Sequence, residues 1–153
     1  MKLIKSFTVN HDTLTRGIYI SRKDGDVVTY DLRMKMPNCG DYLNISGLHT
    51  AEHLLATFVR NSEYSDSIVY VGPMGCRTGM YLLVRDAIST KEVVSLVKDA
   101  FKFMAEFTGE IPGAKKIECG NYLDHDLEDC KREAAEYLSV IESWTEEQTE
   151  YPE

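Results

Sequence analysis

The chain has 153 residues, 43% of them hydrophobic and 27% charged, and its 17 Lys and Arg against 25 Asp and Glu give a formal net charge of -8. That length suits one well-buried domain, residues 1–153, and is too short for two ordinary ones. The acidic balance, with no basic run interleaved with aromatics, argues against nucleic acid and anionic membranes as partners. No apolar run approaches the roughly 20 residues that span a bilayer. The opening MKLIKSFTVNHD lacks the apolar core and small-residue cleavage site of a signal peptide, so a cytoplasmic protein is expected. Cys39, Cys76, Cys119 and Cys130 are scattered rather than densely spaced, which suits thiols in a reducing compartment better than a disulfide scaffold.

Residues 16–22 (RGIYISR) and 27–36 (VVTYDLRMKM) are rich in β-branched and aromatic side chains, and the intervening KDGD holds the Asp-Gly pair that favours a tight hairpin. Pro37, Asn38 and Gly40 end that pattern, and Ser46-Gly47 leads into a helix expected over about 48–60. A second antiparallel pair follows, 67–71 (SIVYV) and 79–85 (GMYLLVR), joined by a glycine-rich turn. From Ser89 to about Thr108 a helix is signalled by a capping box, Ser89 with Glu92, and by apolar residues at helical spacing. A last helix is expected from about Asp126 to Trp144, and residues 142–153 read as an acidic, frayed tail. Four antiparallel strands with helices on one face make an α+β fold in a single domain.

Chemistry concentrates in GLHTAEHLLATF, residues 47–58. At about 100° per residue, His49, Glu52 and His53 share one helix face while Leu48, Ala51, Leu55 and Phe58 take the other. Two imidazoles on adjacent turns can hold one ion, and a catalytic centre then needs a third protein ligand and an open position. Cys119, in IECGNYLDH, is the best candidate, since thiolate is a strong ligand for Zn²⁺ or Fe²⁺. His125, six residues on, competes with it. The order H-x-x-E-H also matches the inverted zinc-peptidase motif, in which the glutamate activates water. A small metallopeptidase is therefore an alternative, and a non-catalytic, metal-stabilised module is another. The second constellation is GPMGCRTG, residues 72–79, which holds Cys76 in a tight turn beside Arg77, a cation that favours the thiolate.

GLHTAEH, GPMGCRTG, and ECG followed by HDLE resemble the S-ribosylhomocysteine lyases, which make the autoinducer-2 precursor. SFTVNH (6–11), YDLRMKMPN (30–38) and EIPGAKKIECG (110–120) extend the resemblance in the family's order from Ser6 to about Trp144. It implies that His49, His53 and Cys119 hold one Fe²⁺ per subunit, replaceable by Zn²⁺ or Co²⁺, and that Glu52 and Cys76 are the acid/base residues. It further implies a cytoplasmic homodimer with shared active sites, in which Ser6, His11 and Arg33 of the neighbouring subunit help to bind substrate. The reaction implied is metal-assisted carbonyl migration along S-ribosylhomocysteine, followed by β-elimination to homocysteine and 4,5-dihydroxy-2,3-pentanedione. Cys39-Gly40 and Arg77 depart from the family's usual residues without touching these positions. Cys39 and Cys130 read as structural, and His125 as a residue that starts the last helix, outside the metal site.

Overall fold

The computed structural model describes residues 1–153. Strands β1 (Gly17–Asp24), β2 (Val27–Arg33), β3 (Ile68–Pro73) and β4 (Gly79–Arg85) form one antiparallel sheet in the order β1-β2-β4-β3. Gly25, at φ +61°, makes the left-handed turn between β1 and β2 that a side chain would disfavour. Tyr30 pairs with Leu82 and Leu32 with Met80 across the central strands, and all four side chains are buried on one face. Helices α1 (Ile45–Arg60), α2 (Thr90–Glu106) and α3 (Leu127–Ile141) pack together over that face. The expected α+β arrangement is therefore the one observed. None of these helices is long and apolar enough to cross a membrane.

The helices begin where their caps dictate. In α2 the Ser89 hydroxyl accepts from the Glu92 amide while the Glu92 carboxylate accepts from the Ser89 amide, the reciprocal box read from the sequence. In α3 the cap is Asp126, whose carboxylate accepts from the Asp129 amide. Helix α1 starts three residues earlier than its periodicity suggests, at Ile45. Its Asn44 cap makes no side-chain bond to the helix, but the buried Asp129 carboxylate lies against Gly47 and accepts from Asn44 Nδ2. A negative group there complements the positive end of the helix, and it joins the start of α1 to the start of α3.

The frayed tail expected from the sequence is a correction. Beyond α3, the Trp144 indole donates to the Ile18 carbonyl, and the Ile20 amide donates to the Thr149 carbonyl at 2.8 Å. Tyr151 stacks on Tyr19 and donates its hydroxyl to Asp31 at 2.7 Å. The charged residues of this tail point to solvent while Trp144, Thr149 and Tyr151 bind β1 and the sheet's second face. Net charge measured over the segment conceals those three anchors.

Candidate metal centre

Helix α1 carries His49 and His53 one turn apart, with Leu48, Ala51, Leu54 and Leu55 on the buried side. Each imidazole is oriented by a backbone carbonyl: His49 Nδ1 donates to Asp124 O at 2.7 Å and His53 Nδ1 donates to Pro112 O at 2.8 Å. A carbonyl only accepts, so both Nδ1 atoms carry the proton and both Nε2 atoms present lone pairs. Those lone pairs converge on Cys119, whose sulfur lies 3.5 Å from His49 Nε2 and 3.9 Å from His53 Nε2. The loop holding Cys119 is closed by its own backbone, with the Cys119 amide donating to Lys115 O. Two imidazoles and a thiol, at separations near those of donors around one tetrahedral ion, fit a transition-metal site.

His125 joins this group. The ligand atoms of His49, His53, Cys119 and His125 all lie within 4.8 Å of one another. The His125 ring stacks on His49 at 4.0 Å, and its Nδ1 bonds Thr50 Oγ1 at 2.9 Å. Burial, then the neighbouring His49 and His53, push His125 below the usual histidine range, against a smaller opposing effect of Asp124. The reading of His125 as a residue that starts the last helix is thus corrected: Asp126 caps α3, and His125 turns inward to stand with the donor group. One signal could have found it, for three of the chain's four histidines end in this cluster. Buried Thr50, also missed, is discernible only as a polar residue at a buried helical position.

Beside the cluster lies an open cavity of about 530 Å³, lined among others by His49, Glu52, Gly75, Arg77, Asn121 and Asp124. Glu52 thus faces the same space as His49. Gly75 and Arg77 flank Cys76, but the Cys76 sulfur is not in this wall; it lies 3.0 Å from Thr78 Oγ1. Arg77 adopts φ +59° and makes two bonds with Leu43, whose amide donates to Arg77 O and whose carbonyl accepts from the side-chain Nη1 of Arg77. Its guanidinium is therefore directed to Leu43.

Arg33 is the cation linked to Cys76, by way of Thr78. Its side chain is 4% exposed, pairs through Nε and Nη2 with Asp31, and donates through Nη1 to Thr78 Oγ1 at 2.7 Å. Burial works to lower its pKa, but the Asp31 charge and hydrogen bonds, with a contribution from Cys76, raise it, so it stays protonated. Arg33 is buried within the chain. Ser6, in a short 3-10 turn (Lys5–Phe7), and His11, whose Nδ1 donates to Val9 O, are partly buried at the N-terminal end. Neither belongs to the cluster nor lines the cavity beside it.

Comparison with known proteins agrees with this chemistry. A profile of the family described as S-Ribosylhomocysteinase (LuxS) matches residues 4–148. The chain is 51% identical to an S-ribosylhomocysteine lyase of Phocaeicola vulgatus, over 99% of this chain and 98% of that protein. It is 46% identical to the protein of the same name in Clostridium acetobutylicum, over the full length of both. A third such lyase, from Porphyromonas gingivalis, is 47% identical, again over the full length of both. Glycine-rich turn, convergent imidazoles and thiol all fall within the matched span, and the chain belongs to the S-ribosylhomocysteinase (LuxS) family.

Proposed function

We propose that this protein is a metal-dependent S-ribosylhomocysteine lyase, releasing homocysteine and 4,5-dihydroxy-2,3-pentanedione, the precursor of autoinducer-2. The observation that carries the proposal is the convergence of His49 Nε2, His53 Nε2 and Cys119 Sγ beside a cavity that Glu52 lines, in a chain of this family. The inverted metallopeptidase is not favoured: the donor cluster contains a thiol and no carboxylate, and the relatives are named as lyases.

His49, His53 and Cys119 are the proposed ligands, and Fe²⁺ the proposed ion, with Zn²⁺ or Co²⁺ as substitutes that suit the same nitrogen and sulfur donors. When bound, a divalent ion supplies Lewis-acid stabilisation of the negative charge that develops on the sugar oxygens. The chain's own residues move the protons. In each carbonyl migration, from C1 to C2 and then to C3, a proton leaves the carbon next to the carbonyl and one is returned to the former carbonyl carbon. We assign those carbon-bound protons to Cys76, whose sulfur is joined to Arg33 through the Thr78 hydroxyl. Glu52, a carboxylate facing the cavity, is assigned the hydroxyl protons and the final abstraction from C4. That abstraction expels the C5 thioether sulfur as homocysteine thiolate, which takes up a proton. No electrons enter or leave, so the ion needs no change of oxidation state.

We further propose a homodimer with shared sites, to which the neighbouring subunit contributes Ser6, His11 and Arg33. In support, Ser6 and His11 lie outside the cavity of their own chain, and large apolar side chains at the surface, among them Phe7, Ile45, Ile117 and Leu123, suit coverage by a second copy. Four free thiols suit a cytoplasmic enzyme. The test is release of free thiol from S-ribosylhomocysteine by anaerobically prepared, iron-loaded protein. Stoichiometric homocysteine supports the assignment, and fully loaded protein that releases none overturns it.

A further inference from the structure

His125 is the member of the cluster to which the lyase reading gives no task, and its hydrogen bonds define its state. The fully buried Thr50 hydroxyl has one proton and donates it to Ser46 O at 3.1 Å. It therefore accepts both other bonds, from the Asp126 amide at 3.0 Å and from His125 Nδ1 at 2.9 Å. His125 Nδ1 carries the ring proton, and Nε2 is an unprotonated acceptor. That nitrogen is buried and has no partner within the chain. An acceptor left in this condition is destabilising unless a ligand completes it.

Two kinds of partner could do so, an ion or a hydrogen-bond donor, and the ring geometry separates them. His49 and His53 stand edge to face at 83° with centroids 4.8 Å apart, and His53 and His125 at 81° and 4.7 Å. His49 and His125 are instead stacked at 20° with centroids 4.0 Å apart. Imidazoles bound to one tetrahedral ion at about 2.0–2.1 Å diverge from it, placing their centroids about 5 Å apart. The stacked ring is too close to His49 to be its fellow ligand. A centre held by His49, His53 and Cys119 would keep a fourth position, and His125 stands beside that group.

We propose that His125 is a substrate-binding residue whose unprotonated Nε2 accepts a hydrogen bond from a sugar hydroxyl of the substrate at the open side of the metal centre. The identity of the hydroxyl donor rests on the lyase reading. Thr50 fixes the tautomer, and the stack on His49 fixes the direction. His125 thereby selects for a polyol next to the metal-facing oxygen and disfavours a ligand with no hydroxyl at that position.

Cobalt-loaded full-length chains carrying Glu52→Gln, which slows turnover, allow binding of S-ribosylhomocysteine to be measured by calorimetry and by the cobalt visible absorption. His125→Asn keeps a donor for Thr50 but is too short to place an acceptor at the Nε2 position, whereas His125→Gln returns an acceptor near it. Expected for His125→Asn are an unchanged melting temperature of the metal-free chain, cobalt affinity within about threefold, and the same spectrum without substrate. Substrate affinity falls about tenfold or more with loss of the substrate-induced spectral change, and His125→Gln recovers part of both. In the otherwise wild-type chain KM rises more than kcat falls. An altered substrate-free cobalt spectrum with affinity lost by about a hundredfold would make His125 a ligand and overturn the proposal. So would unchanged substrate binding by His125→Asn. Failure of the parent chain to bind S-ribosylhomocysteine at all would instead overturn the lyase reading.

Discussion

Gly47 and Asp129 are in contact across the junction of α1 and α3, so closely that a Cβ on Gly47 would stand far inside van der Waals contact with Asp129 Oδ2. Gly47→Ala tests this contact. Alanine is worth up to about 1 kcal/mol over glycine inside a helix, while forcing a methyl into a filled site costs about 1–3 kcal/mol. Overpacking is expected to win, lowering stability by about 1–2 kcal/mol in urea denaturation. Because the Asp124 carbonyl that orients His49 lies just ahead of α3, metal affinity should fall too.

Gly113 is constrained twice. It adopts φ +72°, and a Cβ there would lie 3.1 Å from His53 Nδ1, next to the Pro112 carbonyl that orients that ring. Gly113→Ala carries about 1–2 kcal/mol of left-handed strain and displaces the carbonyl. Loss of such an orienting partner weakens metal binding about 10–100-fold. A chelator competition with zinc should show this, with secondary structure by circular dichroism unchanged.

Arg33 and Cys76 are joined through Thr78 within one subunit, and under the shared-site proposal they travel together. Mixed dimers of Glu52→Gln and Arg33→Ala chains should then recover activity, because one of the two sites receives an intact half from each chain. Mixing Cys76→Ala with Arg33→Ala should recover none, since every site then draws a damaged half from one chain or the other. Recovery in the second mixture would place Cys76 with the metal-binding half.

Cys130 is buried, and desolvation, then Asp129 and Asp126, push its thiol up to about 12 from an ordinary value near 9. The folded chain holds this proton more tightly than the unfolded one. The resulting stability is present in full below pH 9 and is lost progressively as pH rises toward 12, by an amount on the order of 4 kcal/mol. Cys130→Ala should flatten that part of the stability curve. At pH 8 a thiol reagent should label exposed Cys39 and Cys76 in the native chain and leave Cys130 unmodified.

Periodicity announced the strands and helices well because each has one buried face, and a buried face dictates repeating apolar positions. The Ser89–Glu92 box and the pairing of His49 with His53 were legible for the same reason: both depend on spacing within one helix. What escaped depends on contacts distant in sequence. His125 looked like a capping residue until Thr50, 75 positions earlier, claimed its Nδ1. Arg77 sits next to Cys76 in the chain, yet its guanidinium bonds Leu43, and Cys76 contacts Thr78, to which Arg33 donates. Adjacency along the chain misled there, because a tight turn separates the side chains of neighbours.

The anchored tail also bears on the order of events during synthesis. Tyr151 reaches back 120 positions to Asp31, so at roughly 5–20 residues per second the ribosome delivers it on the order of 6–24 s after its partner. During that interval a nascent chain that has already paired β1 with β2 exposes an uncovered strand edge, a template on which other chains can add. A short truncation that removes Thr149 and Tyr151 would make that vulnerable interval permanent, and its first symptom should be inclusion bodies even where the helical side of the molecule forms normally.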